Sequence, residues 1–268
     1  MLTRDPSALR LGDRLAPDEA RAVVDQLYTL AAERWEAKVS GGRFMQALVA
    51  GTLSMEAIRL FWKNWYGFVA EINNLNGIIF QRFGGWFKLH PDLLAAYSAK
   101  IADELIHPAP PGHIQIVLRQ GREFGLRDDE MIHCRMLPEC RAWLDWARGI
   151  VYEGSMIERW TFHTVEERIG YWSRDWRRAL VERYGFDEER VLYFRTHEEA
   201  DLEEHEEGVM AHGEFNRRML QALLEEGNVL TRPGMPLDYI AQVGADFAAL
   251  FFDGIWREAH GESAWGWR

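Results

Sequence analysis

Apolar residues recur along this chain at intervals of three and four, and almost nowhere do they alternate with polar ones. That spacing predicts helices throughout, with no run of β-branched residues bounded by hairpin turns to suggest a strand. A first helix is expected from Pro17, with Asp18 and Glu19 in its opening turn. A second follows Ser54 and carries the Trp62, Trp65, Phe68 stripe toward Phe83, where Gly84-Gly85 is expected to break it. A third starts near Pro91-Asp92 and ends at the Pro108-Ala109-Pro110-Pro111-Gly112 loop, after which His113 opens a short helix that stops at Gly125. Further helices are expected over about 128–153, 155–184 and 187–226. After the Arg232-Pro233-Gly234 turn, a last helix over about 236–259 carries an apolar stripe of Tyr239, Val243, Phe247, Leu250 and Phe251. No internal repeat or low-complexity linker divides the chain, so one all-α domain is expected over residues 17–268, preceded by an N-terminal extension, 1–16.

Composition narrows the class of partner. With 47% hydrophobic residues in 268, the chain can bury a large core. A formal charge of -11 disfavours nucleic acid or an anionic membrane as the main partner, and no local basic patch reverses it. Cys134 and Cys140 are the only cysteines and do not form a C-x-x-C motif, so neither a disulfide framework nor a zinc knuckle is indicated. Residues 1–18 lack the apolar core of a signal peptide, and no apolar run approaches the ~20 residues of a membrane span. The expectation is a cytoplasmic enzyme with a small-molecule substrate and a possible homodimer.

The segment His197-Glu198-Glu199-Ala200-Asp201-Leu202-Glu203-Glu204-His205 places two imidazoles and a carboxylate four residues apart. On a helix these fall at about 0°, 40° and 80°, and so share one face. The two histidines are ~12 Å apart along the axis, which suits two metal ions with Asp201 between them. Other carboxylates could complete such a site. Glu71 lies within an aromatic helix, where an inward carboxylate needs a partner. Asp103-Glu104 closes the next helix, with His107 and His113 on either side of the proline loop, and Glu104 and His107 have Glu-x-x-His spacing. Glu166-Glu167 lies between His163 and Tyr171, and either carboxylate could turn inward. Glu158 is explained by a capping box with Ser155. Acids on three helices together with a His/Asp/His helix form an oxygen and nitrogen donor set suited to iron or manganese.

These segments resemble the heme-oxygenase-like di-iron oxidases, a helical superfamily that also holds the thiaminase II and pyrroloquinoline-quinone synthase branches. The resemblance is carried, in order, by Glu71, Asp103-Glu104-Leu105 with Gly112-His113, Leu137-Pro138 with Arg141-Ala142, Glu166, Tyr184-Gly185, and Tyr193-Phe194 leading into His197-x-x-x-Asp201. It implies a heme-oxygenase-like helical bundle that lacks heme, binds two Fe(2+) ions and uses O2 as co-substrate. The implied ligands are Glu71, Glu104, His113, Glu166, His197, Asp201 and His205. In such proteins the last histidine usually stands three residues after the aspartate, where this chain has Glu204, so Glu204 or His205 fills that place. His107 and His113 remain alternatives beside Glu104, His113 being preferred because the family histidine tends to open the following helix.

The resulting expectation is a non-heme iron oxidoreductase that hydroxylates, desaturates or cleaves a small amino-acid- or fatty-acid-derived molecule in a biosynthetic pathway. Trp65, Phe68, Trp160, Phe162 and Trp172 could wall its pocket. One rival is a metal-free member of the fold, either a cofactorless oxidase or a thiaminase-like hydrolase. In thiaminase II the nucleophilic cysteine directly follows the proline, whereas here Glu139 does and Cys140 comes next. Other rivals are a ferritin-like carboxylate bundle using Glu130 and His133, and a non-catalytic helical interaction protein.

Overall fold

The computed structural model describes residues 4–106, 109–202 and 212–262, apart from the side chains of 199–202 and 212. Thirteen α-helices account for most of these residues, and there is no strand among them. In chain order they are α1 (Pro17–Trp35), α2 (Arg43–Val49), α3 (Met55–Ile72), α4 (Leu75–Phe87), α5 (Pro91–Ile106), α6 (His113–Glu123) and α7 (Asp128–Ile132). They continue as α8 (Pro138–Glu153), α9 (Met156–Phe162), α10 (Glu166–Tyr184), α11 (Leu192–Leu202), α12 (His212–Glu225) and α13 (Leu237–Ala259). A π-helical turn over Glu36–Ser40 extends α1, and a 3-10 turn over His163–Val165 joins α9 to α10. The all-α, single-domain expectation holds.

The helices close around α13, which packs on α1, α3, α8 and α9, while α10 and α11 pair closely on the far side. Aromatic rings fill the centre. Phe61 lies within 6.2 Å, ring centre to ring centre, of Phe44, Trp62, Trp65, Trp172, Trp176, Phe251 and Phe252, so four helices (α2, α3, α10 and α13) meet at one side chain. Rings at such spacing add their mutual attraction to the burial of ~150–250 Å² each. Residues before α1 also pack: Leu9 and Leu15 are buried, and Leu15 donates its backbone N–H to Leu224 O at 3.1 Å.

Two predicted helices are interrupted, each for a local reason. The second ends at Ile72 rather than near Phe83. Asn74 Nδ2 donates back to Ala70 O at 2.9 Å, and a side chain that competes for helix carbonyls favours an end. Gly84-Gly85, expected to break it, lies inside α4. The predicted 128–153 helix divides at Pro138, which takes the first helical position of α8 because it cannot donate within a helix interior. The predicted 187–226 helix corresponds to α11 and α12, with 203–211 outside the described residues.

Candidate functional site

The end of α5 and the start of α6 are held together by Gly112. Its φ of +76° is open only to glycine, and a Cβ there would stand 2.1 Å from the backbone oxygen of Glu104. This close approach puts Glu104 beside His113: Glu104 Oε2 is 3.1 Å from His113 Nδ1 and accepts from Asn73 Nδ2 at 2.9 Å. His113 is buried, and its Nε2 lies 3.6 Å from Asp103 Oδ2.

The ring of His197, from α11, lies 5.2 Å from that of His113 and stacks on Tyr193 at 4.0 Å. His197 Nδ1 is 2.9 Å from Tyr193 O, and a carbonyl can only accept, so Nδ1 carries the hydrogen. In the neutral ring the lone pair is therefore on Nε2. Tyr193 is itself fixed, its hydroxyl accepting from Trp65 Nε1 at 2.6 Å.

A second polar group lies one helical turn away along α5, about 6 Å on the axis. Lys100 Nζ is 2.6 Å from both Glu166 Oε1 and Oε2, and Lys100 is buried. His163 Nδ1 lies 2.9 Å from Glu166 Oε2, and Asn216 Nδ2 donates to the same oxygen. Arg159, 4% exposed, completes the group. Burial pulls its guanidinium down to about 10, with Tyr97 and Glu166 acting in the opposite sense.

Both groups open into one cavity of about 130 Å³. Its apolar wall includes Trp65, Phe68, Ile72, Trp143, Phe162 and Ile169, and its polar residues are Asn73, Asn76, Lys100, Glu104, Arg159, His163, Glu166, Tyr193 and His197. An apolar chamber with a few convergent polar groups is the usual form of a small-molecule site.

Of the seven residues expected to bind iron, the structure brings Glu104, His113, Glu166 and His197 to this cavity or its edge. Glu71 does not join them. Its half-exposed carboxylate pairs with Arg141 at 2.6 Å and Arg148 at 2.8 Å, both from α8. The Asp201 side chain, Glu204 and His205, and also His107, lie outside the described residues. Among the described residues no three His, Cys, Asp or Glu side chains form a group that could hold a metal ion. Glu166 already has an ammonium in the position a cation would take. As arranged, the described donors do not fit two ions.

The other candidates take structural roles. Glu167 is part-buried and pairs with Arg168 and Arg217. Glu158 forms the expected capping box with Ser155 and also accepts from Arg232 N and Nε. Glu139 pairs with Arg257 at 2.7 Å, and Cys140 is buried beneath it, its Sγ 3.7 Å from Phe251 O and outside the cavity lining. Glu130 accepts from Arg127 N at the start of α7, and His133 is exposed at its end. No helix among the described residues is long and apolar enough to cross a membrane.

Sequence reasoning missed Lys100, Arg159 and Asn73. Lys100 carried a signal, since it stands four residues before Glu104 and shares its face of α5. Arg159 carried none: three of the six residues from Ile157 to Phe162 are polar, so nothing local marks that helix as enclosed.

The fold has known counterparts. A TenA homolog from Pseudomonas syringae pv. tomato str. DC3000 superposes with a TM-score of 0.65 at 15% identity, covering 92% of this chain and 100% of its own. A TenA homologue from P. horikoshii OT3 gives 0.57 at 16% identity over 88% and 98%. A TenA family transcription regulator from Silicibacter sp. TM1040 gives 0.54 at 13% identity over 88% and 95%. No family model matches the chain, and no curated protein does. At these identities the likeness establishes the fold alone, a TenA-like helical fold.

Proposed function

We propose that this chain is a small-molecule enzyme of the thiaminase-like, hydrolytic kind that works without a bound metal and without a thiol nucleophile. The observation that carries the reading is the charge-paired Glu166 in an aromatic cavity whose other end holds an oriented acid-base pair, Glu104 and His197. Lys100 neutralises Glu166 from within the protein, so this carboxylate has no need of an external cation. Cys140 cannot stand in for the nucleophile, because burial pushes its thiol up and it does not reach the cavity.

In this reading the apolar wall seats the substrate, and His197 Nε2 takes a proton from water as the water oxygen bonds to the substrate carbon. The C–N or C–O bond to the leaving group then breaks as His197 Nε2 hands that same proton to the departing atom, which returns the imidazole to its neutral form, with the Glu104 carboxylate nearby favouring the transient positive charge. Asn73 holds Glu104 and Tyr193 O holds His197, so neither group must search for its orientation. The test is turnover of small amide, ester and N-linked heterocyclic substrates by chelator-treated protein under argon. The reading expects activity that is lost in His197→Gln. Activity that appears only with added ferrous iron and O2 would overturn it.

A second reading keeps the iron expectation, supported by Glu104, His113, Glu166 and His197 being gathered at one cavity. Those residues, with Asp201 and His205, would hold two ferrous ions that supply O2 activation. It requires Lys100 to leave Glu166. Two tightly held irons per chain would favour it.

A further inference from the structure

Arg159 is the group in the cavity that the proposed chemistry leaves unused. Its Nε and Nη1 are buried and hydrogen-bond to nothing among the described residues. Its guanidinium lies 5.2 Å from the Trp160 ring centre, and Arg159 lines the cavity. A buried cation without hydrogen-bond partners is costly, and such groups are ordinarily paired. The nearby carboxylate, Glu166, is already bound on both oxygens by Lys100 and further by His163 and Asn216. Two fixed cations, Lys100 and Arg159, therefore meet one fixed anion at this end.

We infer that Arg159 anchors the substrate through a carboxylate, whose planar pair of oxygens matches the guanidinium fork, with the apolar remainder of the molecule lying along Phe162, Val165 and Ile169 toward Trp65 and Phe68. The inference rests on the reading above that this cavity holds the substrate, and it names that substrate's class: a small carboxylic acid. Size sets the upper limit. The cavity of about 130 Å³ is close to the ~150 Å³ that admits one benzene ring. Arg159 keeps its charge at neutral pH, since its depressed value is still about 10. The fork geometry selects carboxylate over a neutral amide, which offers one acceptor and places donors against donors.

Calorimetric titration of the wild-type chain with benzoate, benzamide and benzylamine tests this, each ligand offering the same ring. Benzoate is expected to bind at least about tenfold more tightly than the other two, the scale of one charge-assisted contact. Arg159→Met, with its fold checked by circular dichroism, is expected to lose that preference while still admitting the ring. Glu71→Gln, whose carboxylate lies outside the cavity lining and pairs with Arg141 and Arg148, is expected to bind benzoate as the wild type does. Equal or weaker binding of benzoate, absence of binding by all three at millimolar concentration, or an unchanged preference in folded Arg159→Met would overturn the inference. If Arg159→Met does not fold, the wild-type series decides. Failure here with metal-free turnover intact leaves the hydrolytic reading standing, whereas benzoate selectivity with iron-dependent turnover overturns that reading alone.

Discussion

Lys100 and Glu166 face each other across 66 residues of chain, the ammonium 2.6 Å from both carboxylate oxygens. Replacing Lys100 by Met strands the carboxylate in a site only 18% exposed. Removing one partner of a buried pair costs about 3–5 kcal/mol, and His163 and Asn216 keep this case near the lower end. Chemical denaturation of Lys100→Met should show that loss. The double variant Lys100→Met with Glu166→Gln should recover part of it, because the stranded charge is then gone.

Gly112 sets the contact between Glu104 and His113. Gly112→Ala forces a Cβ to within 2.1 Å of Glu104 O at a φ of +76°, and backbone on both sides cannot yield as a side-chain tip could. Turnover should fall at least about tenfold, the consequence of a reacting group displaced by ~1 Å. A melting curve alongside the activity assay separates lost geometry from lost fold.

Glu71 gives a contrasting case. It is paired with Arg141 and Arg148 where all three side chains are about 40% exposed, so the pairs are screened by water. Glu71→Gln should change stability by less than about 1 kcal/mol and leave turnover within about twofold. A large loss of activity in a folded Glu71→Gln protein would return this residue to the site.

The Cys140 thiol should be inert in the folded state. Burial raises both Cys134 and Cys140, the latter strongly. Cys140, fully buried, should not react with Ellman's reagent at neutral pH until denaturant is added, whereas part-buried Cys134 should react in the folded chain. A thiol raised on folding stabilises the fold fully below its unfolded value of about 8.5, and that contribution is lost as pH rises above it. Stability should therefore decline from pH 8 upward, and Cys140→Ala should reduce the decline.

The helical class and most helix starts were legible because capping residues, prolines and apolar spacing act locally. Pro17, Ser54, Pro91 and His113 begin their helices where the pattern places them, within a residue. The break after Ile72 was not legible, since Asn73 and Asn74 act through hydrogen bonds to Glu104 and Ala70 that spacing does not reveal. Within the site, Glu104, His113, Glu166 and His197 were legible as inward polar groups on predicted helices. The partners of Glu71 were not, because Arg141 and Arg148 come from a helix about 70 residues away and turn it outward. For Lys100 the spacing from Glu104 marks a shared helix face, but its burial against Glu166 comes only from tertiary packing.

The most direct measurement is anaerobic titration of the metal-free chain with ferrous iron, followed by desalting and metal analysis. With Lys100 holding Glu166 and Glu71 held by arginines, fewer than about one iron per chain should remain bound. Two retained irons per chain, lost together in His197→Gln, would contradict the account.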